Sequence, residues 1–545
     1  MKLGKRGLIP LASVFCGLLS VGMLLVRPAG TFFVRPDGSG TACSQAQPCA
    51  LQTALRLPYD GDVYVLASGT YVGSGAAVIT ITENISIYGG WDGAASGPVV
   101  RDPELYPTTL DGQGQRRVVH ISGRINPSLS DLIIANGNAS GLTDLCYAAT
   151  SGDPGGCGGG IFVYQATALI AHNIITNNVA SATPQTGPLG ITGYGGGIYV
   201  GASAGTNIVA NTIISNAGSL AAGGAGGGVF LYQCTVDSEV RENQILSNTA
   251  TMSSTTGWGG GIYLAHSDTA VQGNQIRDNV ASAGGSSQGS GLYQWYGAPT
   301  ILGNVVTGNR RGDAVYLGHS EAHVEGNRVL QNATASGVYL LYGAGNGATL
   351  VNNWVAGNGT YNVYIGSSAT DPLTATLRHN TLVGAGATYG VSLGANSRVD
   401  MINTIVAGHT WGITNTEPLS SVVSADHTLF WANTYDGIRG AWPIDGDPDF
   451  LNPANGDYHI GPNSAAIDTG VDLGVPVDID GDARPYHALP DIGADEATWL
   501  TTYLPWIIHS HAGVGMGGGV WPALNRWAIR CGQRSIFWQM RGDFH

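Results

Sequence analysis

The chain has 545 residues, of which 84 are glycine and only 11% are charged. That much glycine argues against a helical protein, since each one inside a helix costs about 1 kcal/mol relative to alanine. The hydrophobic share of 43% excludes a disordered chain, and the net charge of −14 makes a poor ligand for nucleic acid or anionic lipid.

Residues 1–30 open with MKLGKRGLIPLASVFCGLLSVGMLLV, where Lys2, Lys5 and Arg6 precede an apolar stretch. This has the form of a signal peptide, with a retained membrane anchor as the competing reading. Phe15 is too bulky to make Cys16 a lipoprotein site. Export is expected, placing the protein outside the cell or on its surface. Loss of residues 1–30 removes four positive charges and no acid, leaving −18 and no lysine at all. An acidic polymer would then need local arginines or a bridging cation.

Residues 31–58 read as an N-terminal cap. Cys43 and Cys49 bracket SQAQP, and Cys146 and Cys157 bracket a Gly/Asp/Ser-rich insertion. In an oxidising compartment a disulfide is expected in each pair. Cys234 and Cys531 have no assigned partner.

From 59 to 435 the chain repeats. GGGIFV at 158–163 recurs as GGGIYV at 195–200, GGGVFL at 226–231 and GGGIYL at 259–264, then as SGLYQ, DAVYL, SGVYL and NVYIG up to residue 366. Asn-x-Ile/Val-x-x-Asn follows from 173, 211, 243, 274, 304, 327 and 353, with decayed copies at 380, 403 and 427. The spacing is 23–27 residues, stretched to 30–38 where a loop is inserted. Such a period marks a solenoid. Short alternating apolar runs punctuated by Gly and Asn, with no helical segment between them, predict an all-β single-stranded parallel β-helix. Its coils should lie about 4.8 Å apart. The asparagines are expected to take left-handed corners and to stack amide on amide, a structural role.

In Ile-Tyr-Val the aliphatics should point inward and the aromatic outward. This predicts an external column of Phe162, Tyr199, Phe230, Tyr263, Tyr293, Tyr316, Tyr339 and Tyr364, ending at Ser392. A straight row of rings suits a linear polysaccharide or cell-surface glycan. Stacking of the rings on one another for stability alone is the alternative.

These repeats resemble the right-handed parallel β-helix proteins of the pectate-lyase-like superfamily. The opening DGSGTACSQAQPCALQTAL, GDVYVLASGTY, ISIYGGWD and RDPELYPTTLDGQGQRRVVHISG resembles that of secreted bacterial members. DGDPDFLNPANGDYHIGPNSAAIDTG with DIDGDARPYHALPDIGADE, in 436–497, is similar to the choice-of-anchor Q region of such proteins. The basic, Trp-rich tail 498–545 is left as a sorting signal, an edge-covering cap or sequence without function.

The resemblance implies calcium held by carboxylates and an Arg or Lys base acting on a uronate. Lysine is excluded beyond residue 5, leaving Arg241, Arg277, Arg310, Arg311 and Arg328 in the repeats. Neither that family's calcium spacing nor the paired aspartates of polygalacturonases is present. Aligning the coils on their first Asn places Gln165, Ser203, Thr235, His266, Tyr296 and His319 in one column. Asp237, Asp268 and Glu321 fall two residues on, with His266 and His319 flanking Tyr296. This is the catalytic candidate, with Asp268 and Glu321 about 9–10 Å apart if two rungs separate them. DIDGD at 478–482 places Asp478, Asp480 and Asp482 in the manner of a calcium loop, which Asp491 and Glu496 would complete or buttress. Because ionisable groups are scattered over many coils, the favoured reading is a non-catalytic, polysaccharide-associated β-helix. A polysaccharide lyase or glycoside hydrolase is the alternative, and a structural stalk or adhesin a further one.

Overall fold

In the computed structural model, which describes residues 28–142, 146, 156–184, 190–341, 345–367 and 372–498, one coil follows from the next by repetition of three short strands. Ile161–Tyr164, Leu169–Ala171 and Ile174–Thr176 form one coil, and the chain then returns to Ile198–Gly201 beside the first strand. Equivalent strands of successive coils pair in parallel, which generates three long sheets of 13, 14 and 14 strands. We call the 13-stranded sheet, which carries the aromatic motif, sheet 1. Sheet 2 contains Leu169–Ala171 and sheet 3 contains Ile174–Thr176. The aliphatics on either side of each aromatic, such as Ile198 and Val200, or Ile262 and Leu264, are fully buried in the axial core. The fold is thus the expected all-β parallel β-helix. Residues 1–27 and 499–545, with Cys16 and Cys531, lie outside the described residues.

Two buried asparagine ladders hold the corners. One runs through Asn173, Asn211, Asn243, Asn274, Asn304, Asn327, Asn353 and Asn380. Each donates both its backbone N–H and an Nδ2–H to the Oδ1 of the next, at 2.9–3.1 Å. The second runs from Asn178 through Asn216, Asn248, Asn279, Asn309 and Asn332 to Asn358 in the same way. The other Nδ2–H goes to a carbonyl of the preceding coil, as from Asn248 to Ile213 at 2.8 Å. The amides stack as expected, but the left-handed residue is the one before each Asn. His172, Ala210, Glu242 and Ser247 have φ of 57°, 52°, 58° and 52°. The Asn itself is needed for its amide, because no other side chain of that size offers an acceptor and two donors in line.

The longer coils between 158 and 290 carry two side sheets. A four-stranded one contains Val179–Ser181 and Thr249–Thr251, and a five-stranded one runs from Gly156–Cys157 to Ser287–Gln288. The inserted loops are therefore themselves a structural layer. The Gly-Gly-Gly motif returns the chain to sheet 1: Gly195, Gly226 and Gly259 have φ near +64°. A Cβ on Gly196 would lie 2.3 Å from the Ala217 carbonyl oxygen, so the second glycine has no room for a side chain.

The N-terminal segment joins the solenoid through Thr31–Val34, which pairs with Val63–Leu66, and the Cys43–Cys49 disulfide closes its loop. The second expected disulfide, Cys146–Cys157, is also formed, and Cys234 is a buried thiol. At the other end the last parallel pair joins Leu429–Phe430 to Ile444–Asp445. The chain then runs back along the outer face of sheet 3 as a strap. It bonds Asn403 through Val471, Thr381 through Ala494, Asn352 through Val477 and Arg328 through Asp480. Tyr458 and Ala494 pack on Trp354 and Val383, while Ile460 and Ile492 pack on Ile405 and Leu429.

Asn248→Ala deprives the Asn216 N–H and Nδ2–H of their acceptor and removes the side-chain donor from the Ile213 carbonyl. Chemical denaturation should register a loss of about 1–3 kcal/mol for each group stranded in the core. The exposed Gln275→Ala on the same face should stay within about 0.5 kcal/mol of the parent.

Candidate functional site

The aromatic column is in register from coil to coil, Phe162 opposite Tyr199, then Phe230, Tyr263, Tyr293, Tyr316, Tyr339 and Tyr364, and Ser392 follows. Neighbouring centroids are 4.6–5.5 Å apart, mostly stacked, with edge-on contacts on either side of Tyr263. The rings do point away from the axial core. The first six are nevertheless buried, because the side sheets fold over them and add Cys157, Ile191, Tyr194 and Ala225 to a second core. Tyr339 and Tyr364, beyond the last side-sheet strand, are half-buried. The expectation of an external contact line is therefore corrected for Phe162 to Tyr316. Arg117, itself buried, caps the column 4.5 Å over the Phe162 ring and donates to the carbonyls of Gly158 and Cys157.

A second row of rings does reach solvent. It lies at the corner where sheet 1 ends and consists of the residues that adopt left-handed φ there, namely Gln165, Ala202, Gln233, His266, Tyr296 and His319, at 48–58°. Ser203 and Thr235 are not in this column. The segments joining sheet 1 to sheet 2 have four residues after Tyr164, five after Gly201 and six after Tyr232, so alignment on the downstream Asn slips by one and by two. Ser203 turns inward, where its Oγ bonds the Ala166 carbonyl at 2.6 Å. The left-handed backbone recurs along the whole corner, so it reflects the turn and not stored strain at one coil.

Within this row the His266 and Tyr296 rings stack at 4.9 Å and 6°, and those of Tyr296 and His319 at 4.5 Å and 9°. Trp295 stands edge-on to both Tyr296 and His319, at 5.5 and 4.9 Å. Tyr296 is 41% exposed and His266 is exposed, whereas His319 and Trp295 are half-buried. Partial desolvation of the stacked ring lowers the His266 pKa. Trp295 was not anticipated from the sequence. A small-for-large alternation in its column marks it: Tyr164, Gly201, Tyr232, Ala265, Trp295 and Gly318 follow one another. A Cβ on Gly318 would sit 2.4 Å from the indole, so the glycine makes room for it.

The three candidate carboxylates occupy the same corner. Asp268 accepts the Ala298 N–H at 2.8 Å, and Glu321 donates its own N–H to the Gly297 carbonyl at 3.2 Å. Asp268 and Glu321 are thus two rungs apart with Gly297 between them, and Asp237 is one coil earlier and exposed. One oxygen of Asp268 is committed to the backbone. Of the repeat arginines, Arg241 is paired with Glu239 and Glu242, Arg277 with Asp278, and Arg328 with Asp480. Arg310 and Arg311 follow the Asn309 corner on the far side of the coil and are exposed.

The DIDGD turn does not gather its carboxylates around one point. Asp478 accepts the N–H groups of Asp480 and Asp482 on one oxygen and that of Glu496 on the other. Asp480 bonds Arg328 at 2.7 Å and His459 at 2.6 Å, tying the strap to the solenoid. Glu496 forms a buried ion pair with Arg484 at 3.0 Å, and Asp491 accepts the N–H groups of Asp468 and Ala497. These acids buttress the strap. Among the described residues, the cluster that could geometrically hold a cation is His459, Asp480 and Asp495. In it both His459 ring nitrogens face carboxylates, Asp457 at 2.5 Å and Asp480 at 2.6 Å, which raises its pKa to about 9.

In sequence, residues 119–285 and 228–406 match the family profile described as a right-handed beta helix region. No curated protein matches the chain. Among solved structures, the PL6 family alginate lyase AlyGC superposes with a TM-score of 0.51 at 14% identity, over 86% of this chain and 58% of its own. The chain thus spans little more than half the length of that enzyme. Pectate lyase Pel9A gives 0.35 at 14% identity over 86% and 97% of the two chains. The A-module of the Azotobacter vinelandii mannuronan C-5 epimerase AlgE4 gives 0.38 at 12% over 71% and 91%.

The two aromatic rows separate experimentally. Tyr199→Ala opens a cavity in the second core and should cost about 3–5 kcal/mol in denaturant unfolding. Tyr296→Ala removes a solvent-facing ring and should cost less than about 1 kcal/mol. For the strap, His459 has a folded-state pKa above its ordinary value. Its contribution is therefore complete below about pH 6.5 and lost as pH rises through about 9. Limited proteolysis of residues 446–498 should accelerate above that pH in the parent, and His459→Gln should abolish the alkaline step.

Proposed function

We propose that the chain, which belongs to the right-handed β-helix family, is an exported protein that holds a polysaccharide along the corner row of His266, Trp295, Tyr296 and His319. The observation that carries this is the co-stacking of the exposed His266 and Tyr296 rings with the half-buried His319 ring along the solenoid axis. Their pitch of one coil, about 4.8 Å, presents ring faces and edges in a line to an extended polymer. That the polymer is a polysaccharide, and no more than that, is taken from the fold relative that is an alginate lyase. Export is supported by the two disulfides, which persist in oxidising compartments. The strap is read as a choice-of-anchor Q-like region that seals sheet 3, and cell-surface attachment would follow from it.

The contact line is thereby moved from the buried column to the corner beside it. Binding without turnover remains the main reading, since one oxygen of Asp268 is held by a backbone N–H. Cleavage is the second reading. It is favoured by the placement of Asp268 and Glu321 on alternate rungs of the corner that carries His266 and His319, a spacing at the upper edge of the inverting-hydrolase range.

Affinity electrophoresis of the folded chain through a set of polysaccharide gels tests the proposal. Tyr296→Ala and Trp295→Ala should each weaken retention about tenfold, about 1.4 kcal/mol, with Tyr296→Ala leaving the unfolding midpoint nearly unchanged. Retention that survives both substitutions rules out this row as the surface. New reducing ends released from any retained polymer, and lost in Asp268→Asn, would establish the second reading.

A further inference from the structure

We infer that the polymer held on the corner row is an uncharged polysaccharide and not a polyuronate; this rests on the assignment of the row as the binding surface. The groups that share the corner with the rings are acidic. Asp237 and Glu321 are exposed and Asp268 is half-buried, one on each of three coils around Tyr296. Just beyond, on sheet 2, Arg241 lies between Glu239 and Glu242, which bind its guanidinium at 3.0 and 3.1 Å. A polyuronate brings a carboxylate on every sugar, so along this corner it would meet like charge without an opposing partner, an arrangement that binding surfaces use to reject a ligand.

Among the described residues, the nearest arginine on the corner row itself is distant. Arg124 belongs to the corner one coil before Gln165, where with Asn126, Gln165, Thr167 and Ala202 it lines a hollow of about 350 Å³. Four coils separate it from His266, about 19 Å at the rung spacing. That is roughly twice the Debye length at physiological ionic strength, so its field is screened at the rings. No lysine occurs after residue 5. Partial desolvation lowers the pKa of the His266 imidazole, which disfavours its charged form.

A bridging cation does not rescue a polyuronate here. Among the described residues, the sole group of three or more His, Cys, Asp and Glu side chains with ligand atoms close together is in the strap, not at the corner. The corner carboxylates are strung out at one per coil, and one Asp268 oxygen is already bonded to the Ala298 N–H. Neutral sugars need none of this. Ring faces stack on their apolar C–H surfaces, while carboxylates such as Glu321 accept hydrogen bonds from their hydroxyls.

The test uses the folded chain and Tyr296→Ala on gels containing a neutral β-glucan, a galactomannan, an arabinoxylan of low acid content, alginate or polygalacturonate. Each is run with chelator and with calcium, at low and high salt. Retention on a neutral polymer, at least about tenfold above that on either polyuronate, unchanged by salt or chelator and lost in Tyr296→Ala, is the expected result. Retention on alginate or polygalacturonate that depends on Tyr296, with or without calcium, overturns the inference and leaves the binding row standing. Absence of retention on every polymer overturns the row itself, and the inference with it.

Discussion

A side-chain amide buried at two corners of the coil, bonded to the amide of the next coil and to a carbonyl of the one before, is the constraint on which the solenoid depends. An Asn in the ladder has no solvent to fall back on, so its acceptor must be reached by two donors from the coil before it. That condition fixes coil spacing and register together. A one-residue slip would turn aliphatics such as Ile198 and Val200 outward and strand an amide in the core. Left-handed residues preceding each Asn bring the chain round the corner, and they tolerate His, Ala, Glu or Ser because only backbone geometry is asked of them.

The same register stacks whatever lies outside the core, and the side sheets decide what becomes of it. Where inserted strands cover sheet 1, the aromatic column is sealed into a second core; the rings past the cover emerge by degrees at Tyr339 and Tyr364. In the adjoining column, large and small residues alternate, so that Trp295 leans over Gly318. Among the described residues no side-sheet strand crosses the corner row beyond it, which is why it and not the aromatic motif offers rings to a ligand. The sheet-3 face is closed differently, by a strap whose acids are spent on Arg328, His459, Arg484 and backbone N–H groups. An acid-rich turn there is framework, held by hydrogen bonds that leave its carboxylates facing different partners.

A shared solenoid therefore says little about the ligand it carries. The alginate lyase superposes on this chain at 14% identity, so backbone path is common while corner residues are free to differ. Here the corner combines rings with carboxylates, and the chemistry such a row can hold is set by that local balance and not by the path.

How much of this was legible in the chain follows from range. The 23–38-residue period, the aliphatic-aromatic-aliphatic alternation, the paired asparagines and the cysteine spacing are local signals, and by themselves they determined an all-β parallel solenoid, the aromatic register and the two short-range disulfides. They also placed His266, Tyr296 and His319 together, because the segments that follow them preserve the spacing to the next Asn. They misplaced Ser203 and Thr235, because a turn one or two residues longer is invisible when coils are aligned from one side. Burial of Phe162 to Tyr316 was decided by loops returning over sheet 1, and the fate of Asp480 by Arg328, 152 residues away. Periodicity states which residues share a column. Whether that column faces water, a second core or a strap depends on segments outside the period, and only the tertiary structure brings them together.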